Sequence, residues 1–357
     1  MYVSVLPSFV HASPIVRHAL AGVLLSNFSH LGAVIALYGV VRDAVPCDRA
    51  ERQRIAFVAA CLHVVSPAGL FLSSSCGEGS FAFATFLGIW FYIRAQRASP
   101  TFATLWTLLS GASFAISSLI RSNGLLNGTI FFLDALVHVH HIIVNRSAAR
   151  IPRLFTTILA GSIIAVAFAF PQVLAYLEYC TPDATRPWCS HIPPSIYSWV
   201  QQHYWNVGFL AYWTVNNAPL FLLAAPMLAV LISTGLWGLL RPCQVAAAIS
   251  DRKSPTSKPS DDETLFTQLL LRLAIPQLIL ATMAITSFHV QIINRISSGC
   301  ALWYILLAIA VCQQKQSANP AGLFGVFGGW RTEATLRAMV MYAVVQGGLY
   351  ASFLPPA

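Results

Sequence analysis

Residues 154–177 read LFTTILAGSIIAVAFAFPQVLAYL, a run without one charged side chain. Wound as an α-helix at roughly 1.5 Å per residue, it extends about 36 Å and crosses the roughly 30 Å hydrocarbon core of a bilayer. Nine further stretches share its character: residues 18–41, 55–72, 79–93, 101–119, 124–144, 219–240, 265–286, 300–312 and 336–353. The stretches 79–93 and 300–312 are short for a full crossing, so each is tilted, extended into its flanks, or re-entrant. The expected fold is an all-α integral membrane protein, a bundle of about ten transmembrane helices. No internal repeat is visible, and residues 1–357 form a single membrane domain.

Composition supports that reading. Of the 357 residues 57% are hydrophobic and 9% charged, with a mean hydropathy of +0.67. A soluble domain carries about 25% charged residues because its surface faces water. The net charge of +9 and pI near 9.3 would suit a nucleic-acid partner, but the basic residues sit at the ends of apolar runs. That pattern orients a protein in a membrane, and no nucleic-acid partner is expected. The eight cysteines include no C-x-x-C pair, so no metal site is expected. Residues 1–16 are mixed in polarity and do not read as a cleavable signal peptide.

Sidedness follows from the basic residues. Alternate loops hold Arg42, Arg49, Arg52 and Arg54; Arg94 and Arg97; Arg146, Arg150 and Arg153; Arg241, Arg252, Lys253 and Lys258; and Lys315, Arg331 and Arg337. The opposite loops hold only Arg17, Arg121, Arg186 and Arg295. The richer set belongs to the cytosol, which puts both termini and the long loop 178–218 on the far side. Residues 241–264 read as a cytosolic linker whose stretch 250–263, SDRKSPTSKPSDDE, is polar and mobile.

Four groups then share the far face: the 66–80 turn with Glu78, the Arg121-Ser122-Asn123-Gly124 turn, the long loop, and the 288–298 turn with Arg295. Ionisable groups at membrane depth cost about 2.5–3.5 kcal/mol each on insertion scales, so they mark sites or pathways. A guanidinium fork matches phosphate oxygens, and Arg121 and Arg295 either grip a lipid phosphate or sit among headgroups. Glu78 is read as a hydroxyl acceptor or as a partner for one of these arginines. The long loop is rich in Trp and Tyr, which suits a membrane interface or the apolar faces of sugars. Cys180 and Cys189 would close a disulfide in an oxidising compartment, with Cys76 and Cys300 near the same face as other partners.

Two further features have competing readings. Asp134, His138 and His141 fall on one helical face, either as a transporter's proton relay or as groups satisfied within the bundle. Arg272 lies near the cytosolic end of its span and is expected to snorkel there. The glycosylation triplets at Asn27, Asn127 and Asn145 lie within spans or on the cytosolic side, and none is expected to be modified.

The far-face motifs carry a resemblance. Ser66-Pro67-Ala68-Gly69-Leu70-Phe71-Leu72-Ser73 followed by Glu78 and Phe81, and Arg121-Ser122-Asn123-Gly124, resemble signatures of the GPI mannosyltransferase 2 family. So do Arg186-Pro187-Trp188-Cys189, Pro194-Ser195-Ile196-Tyr197, the run Gln202-His203-Tyr204-Trp205-Asn206-Val207-Gly208-Phe209-Leu210, and Phe288-His289-Val290-Gln291-Ile292 with Arg295. The resemblance covers the chain from about residue 15, and the cysteine and proline content resembles fungal members. It implies a GT-C-type multi-span bundle of the endoplasmic reticulum membrane. The implied reaction adds the second mannose, α1,6-linked, to the GPI lipid precursor on the lumenal side. The donor is dolichol-phosphate mannose, with no other cofactor, and a small membrane subunit is an implied partner.

The same resemblance implies substrate-binding roles for Glu78, Arg121, Asn123, His203, Asn206, His289, Gln291 and Arg295. It places the family's catalytic Asp in a segment upstream of this chain, together with a further helix. Glu78 is then the candidate base within the chain, in a Cys76-Gly77-Glu78-Gly79 stretch where the family has Tyr-Ser-Glu-Ser. The alternatives are a non-catalytic relative that binds GPI lipid or partners, and a secondary transporter using Asp134, His138 and His141.

Overall fold

A computed structural model describes residues 13–181, 186–250, 258–314 and 330–352. Its helices are α1 (Pro14–Ala44), α2 (Arg49–Val64), α3 (Gly69–Ser73), α4 (Glu78–Arg97), α5 (Pro100–Ile120), α6 (Gly128–Ile143) and α7 (Ile151–Tyr179). They continue with α8 (Ile196–Trp205), α9 (Ala218–Leu240), α10 (Pro242–Ile249), α11 (Asp261–Thr286), α12 (Ile293–Ile296), α13 (Ala301–Gln314) and α14 (Trp330–Ala351). Several starts are written in the sequence. Asp48 accepts from the Ala50 and Glu51 amides at the head of α2. Ser260 accepts from the Glu263 amide at the head of α11, whose first turn also carries Asp261 and Asp262, favourable against the helix dipole.

Among the described residues, six helical segments are long and apolar enough to cross a membrane, and a seventh counts if Val290–Gly299 and Ala301–Gln313, bent by 78°, form one span. About ten were expected. The difference lies in α2, α4 and α14, which bring Arg and Glu into their end turns. Much of α4 is buried against neighbouring helices rather than facing lipid, so its composition is freed from the bilayer's demand. The short helix α13 is the extreme case. From Ala301 to Ile309 every side chain is at most 3% exposed, which makes it the buried axis of the bundle.

The expected span 55–72 is broken. α2 stops at Val64, and the chain turns through Ser66-Pro67, with the Ser66 hydroxyl accepting from the Ala68 amide at 3.1 Å, before α3 resumes. Proline lacks an N–H and drives the preceding residue out of helical conformation. The region 241–264 also differs from a plain linker. Pro242–Ile249 is helical, with Val245, Ala246 and Ile249 in the core, and residues 251–257 lie outside the described residues.

Arg272 does not snorkel. It is 8% exposed and ion-paired with Asp134, which also accepts from the Tyr92 hydroxyl at 2.8 Å. The pairing ties α11, α6 and α4 together in mid-bundle. A partner within reach outweighs a trip to the interface, because each charge relieves the other's desolvation. His141, at the far end of the stripe read either as a relay or as groups satisfied within the bundle, bonds the exposed Asn145 amide.

Candidate active site

The first half of the site is built on two close backbone approaches. Glu78 opens α4, where a carboxylate is favoured by the helix N-terminus. Next to it, a Cβ on Gly79 would lie 2.7 Å from the Ser26 carbonyl oxygen, so only glycine lets α4 press onto α1 here. Arg121 ends α5 in extended conformation, and its carbonyl accepts from the Gly124 amide at 2.9 Å. A Cβ on Gly124 would fall 2.5 Å from the Ser118 nitrogen, so the turn folds back on α5 only with glycine at that position.

These turns deliver three charges to one place. A single oxygen of Glu78, Oε1, accepts from Arg121 and from Nε of Arg295. Glu78 is fully buried, while the Arg121 and Arg295 side chains keep 20% and 32% of their surface. Arg295 reaches the cluster from α12 and lies over the Phe71 ring, 4.4 Å from its centre. Among the described residues, two guanidinium groups against one carboxylate leave one positive charge unbalanced. Burial pulls the Arg121 guanidinium below its ordinary proton affinity, and the neighbouring Arg295 charge acts the same way, while Glu78 opposes both. Arginine stays protonated regardless, so the cluster is a fixed, partly desolvated cation that an anion would complete.

The long loop is tied to this end of the bundle at both ends of α8 and beyond it. Ser122 Oγ and Tyr197 Oη are 2.7 Å apart, which joins the Arg121 turn to α8. At the other end of α8, His289 Nε2 donates to the Trp205 carbonyl at 2.5 Å, and its ring stacks on Tyr212 with centroids 4.6 Å apart. Tyr212 donates in turn to Gln291 at 3.1 Å, and the Leu210 amide donates to the Thr286 carbonyl at 2.6 Å. Cys180 and Cys189 are joined by a disulfide within the same loop.

The structure thus gathers Glu78, Arg121 and Arg295 into one cluster. Asn123 lines a small cavity with Phe81, Asn127 and Gln277 close by. His289 and Gln291 face the loop, where their bonds are structural. His203 is exposed and stacks on Trp199 at 4.6 Å. Asn206 caps α8 in left-handed conformation, φ 48°, a geometry that asparagine tolerates. Two contributors escaped the sequence reading. Phe71 under Arg295 lay in a quoted motif without a role, and Gln172 of α7 accepts from the Ser195 hydroxyl and the Tyr197 amide, each at 3.1 Å. A lone amide in an apolar run was the signal for Gln172.

Because one side chain both stacks and bonds, His289→Ala is expected to release the loop at a local cost of about 1–2 kcal/mol. Limited proteolysis in detergent would show faster cleavage between residues 206 and 217, whereas unchanged cleavage would mean the other ties suffice.

A family model described as Mannosyltransferase (PIG-V) matches residues 4–357. A protein named GPI mannosyltransferase 2 from Aspergillus oryzae is 40% identical over 345 residues, covering 95% of this chain and 74% of its own length. Its namesake from Gibberella zeae is 39% identical over 343 residues, with 95% and 75% covered. A Rattus norvegicus protein named GPI alpha-1,6-mannosyltransferase 2 is 30% identical over 239 residues, 60% of this chain and 45% of its own. No solved structure matches the chain.

Proposed function

The chain belongs to the PIG-V mannosyltransferase family, and from that premise we propose that it transfers the second mannose, in α1,6 linkage, to the GPI lipid precursor. The printed names of its relatives support the mannose transfer and the GPI acceptor. The donor in this reading is dolichol-phosphate mannose, the place is the lumenal face of the endoplasmic reticulum membrane, and a small membrane subunit is the partner. The observation that carries the mechanism is the Arg121–Glu78–Arg295 cluster, one negative charge short among the described residues, where two of the four arginines read as non-cytosolic meet.

In the reaction an acceptor hydroxyl, losing its proton to a carboxylate, attacks the mannose anomeric carbon. The bond from that carbon to the phosphate oxygen breaks with inversion, and the lipid phosphate leaves with one more negative charge. Arg121 and Arg295 are placed to hold the phosphate and to stabilise that growing charge. Glu78 has no exposed surface, and its Oε1 already accepts from both arginines. We therefore assign Oε1 to positioning the two guanidinium groups, and Oε2, which has no hydrogen-bond partner among the described residues, to taking the acceptor's proton once the donor phosphate engages the arginines. Asn123, His203 and Asn206 are assigned to sugar or inositol hydroxyls.

Expression of the 357-residue chain in cells depleted of their own second GPI mannosyltransferase tests the reading. The expected result is that precursors bearing one mannose, resolved by mass, are converted to species bearing two. A folded, membrane-inserted chain that leaves the one-mannose species in place would overturn it.

A further inference from the structure

A second feature reaches Asn294, the chain neighbour of Arg295. Between α9 and α14 runs a cavity of about 770 Å³ whose walls are almost wholly apolar. Leu222, Pro226 and Val230 line it from α9, and Ala338, Met341 and Val345 from α14. Leu222, Met341 and Val345 are 77%, 66% and 55% exposed, so the cavity is an open groove on the bundle's flank. From Pro219 to Ser233 it follows α9 for about 21 Å at the helical rise, most of the way through a hydrocarbon core. At its inner side it reaches Pro67 and Asn294, both buried. Asn294 is the residue before Arg295, and it is anchored to the Leu223 carbonyl of α9 at 3.4 Å.

The occupant follows from where the groove ends. In a polyprenyl-phosphate sugar, the phosphate links the reacting anomeric carbon directly to the hydrocarbon. The tail of such a donor must therefore enter within a phosphate's width of the cationic cluster. The acyl chains of a glycolipid acceptor are instead separated from its reacting hydroxyl by several sugar rings. A second cavity, of about 600 Å³ between α1, α4 and α5, also borders the cluster through Gly77 and Ile120. Its walls carry His18, Ser29, Ser75, Ser80 and Ser113, which suit an unbroken hydrocarbon poorly.

We propose that the α9–α14 groove is the binding site for the isoprenoid tail of the donor, running out of the bilayer core past Asn294 so that the phosphate meets Arg295. This rests on the reading of the donor as a lipid phosphate sugar. The groove supplies chain affinity and the arginines supply head-group affinity, so tail length tunes donor binding without touching the chemistry.

The test fills the groove. Ala338→Trp and Ala229→Trp each replace an exposed small side chain in its wall. With purified full-length protein, each is expected to raise the KM for a long-chain polyprenyl-phosphate mannose about tenfold or more, since several methylenes lose their burial. The KM for a farnesyl-phosphate mannose, the KM for the acceptor and kcat are expected to hold. In parallel, a diazirine-bearing polyprenyl phosphate without mannose is expected to label peptides of α9 and α14, and Ala338→Trp to suppress that label. An unchanged long-chain KM in both variants, a rise in the acceptor KM instead, or labelling of the α1–α4–α5 cavity would overturn the proposal. Groove labelling in a protein that transfers no mannose would uphold the groove and sink the proposed reaction.

Discussion

Arg295→Ala and Arg121→Ala are each expected to lower mannosyl transfer by about 10²–10³-fold in kcat/KM, the range lost when a fixed donor to a growing negative charge is removed. The two guanidinium groups converge on one buried oxygen, so each is held in place before any substrate arrives. Lysine keeps the charge but not the planar fork, and Arg295→Lys is expected to recover only part of the loss. Glu78→Ala is also expected to reduce transfer, by a different route. With the carboxylate gone, two like charges are left close together at a partly buried site, and the arginines spread apart. That variant is therefore expected to lose thermal stability as well as rate, while Arg295→Ala, whose side chain is one-third exposed, loses mainly rate. Assays in washed membranes with radiolabelled donor, beside thermal unfolding in detergent, would separate these effects. Wild-type transfer in Arg295→Ala would remove the arginine cluster from the mechanism.

Asp134→Ala is expected to be the most destabilising substitution in the bundle, by about 3–5 kcal/mol, because it strands the Arg272 guanidinium without a counter-charge. Both side chains are under one-tenth exposed, so water screens them little. Arg272→Ala should act similarly from the other side. Replacing both partners, Asp134→Leu with Arg272→Met, should restore most of the loss, since an apolar pair of similar volume avoids burying charge at all. A melting series in detergent checks this: two low single variants and a recovered double. If the folded fraction of the double variant still transfers mannose, the pair is a structural rivet. Should the double variant fold but lose all transfer, the pair would belong to the reaction after all.

What lay open in the sequence follows from how the information is stored. Hydropathy and charge bias are sums over local windows, so the membrane class, the helical make-up and the common face of the four polar groups are readable without coordinates. The two arginines of the cluster could be named for the same reason, because a lone arginine on the charge-poor side stands out against its window. Helix count proved less legible, since α4 and α13 answer to the helices around them rather than to lipid.

Only the tertiary structure decided the partnerships. Glu78 meets arginines 43 and 217 positions away in the chain, and Arg272 finds Asp134 across 138. Such pairings depend on which turns the packed helices bring to one end. That packing is in turn governed by close approaches such as Gly79 on Ser26 and Gly124 on Ser118. The groove between α9 and α14 has no signal in either segment alone, because a cavity is a property of the space two helices leave between them.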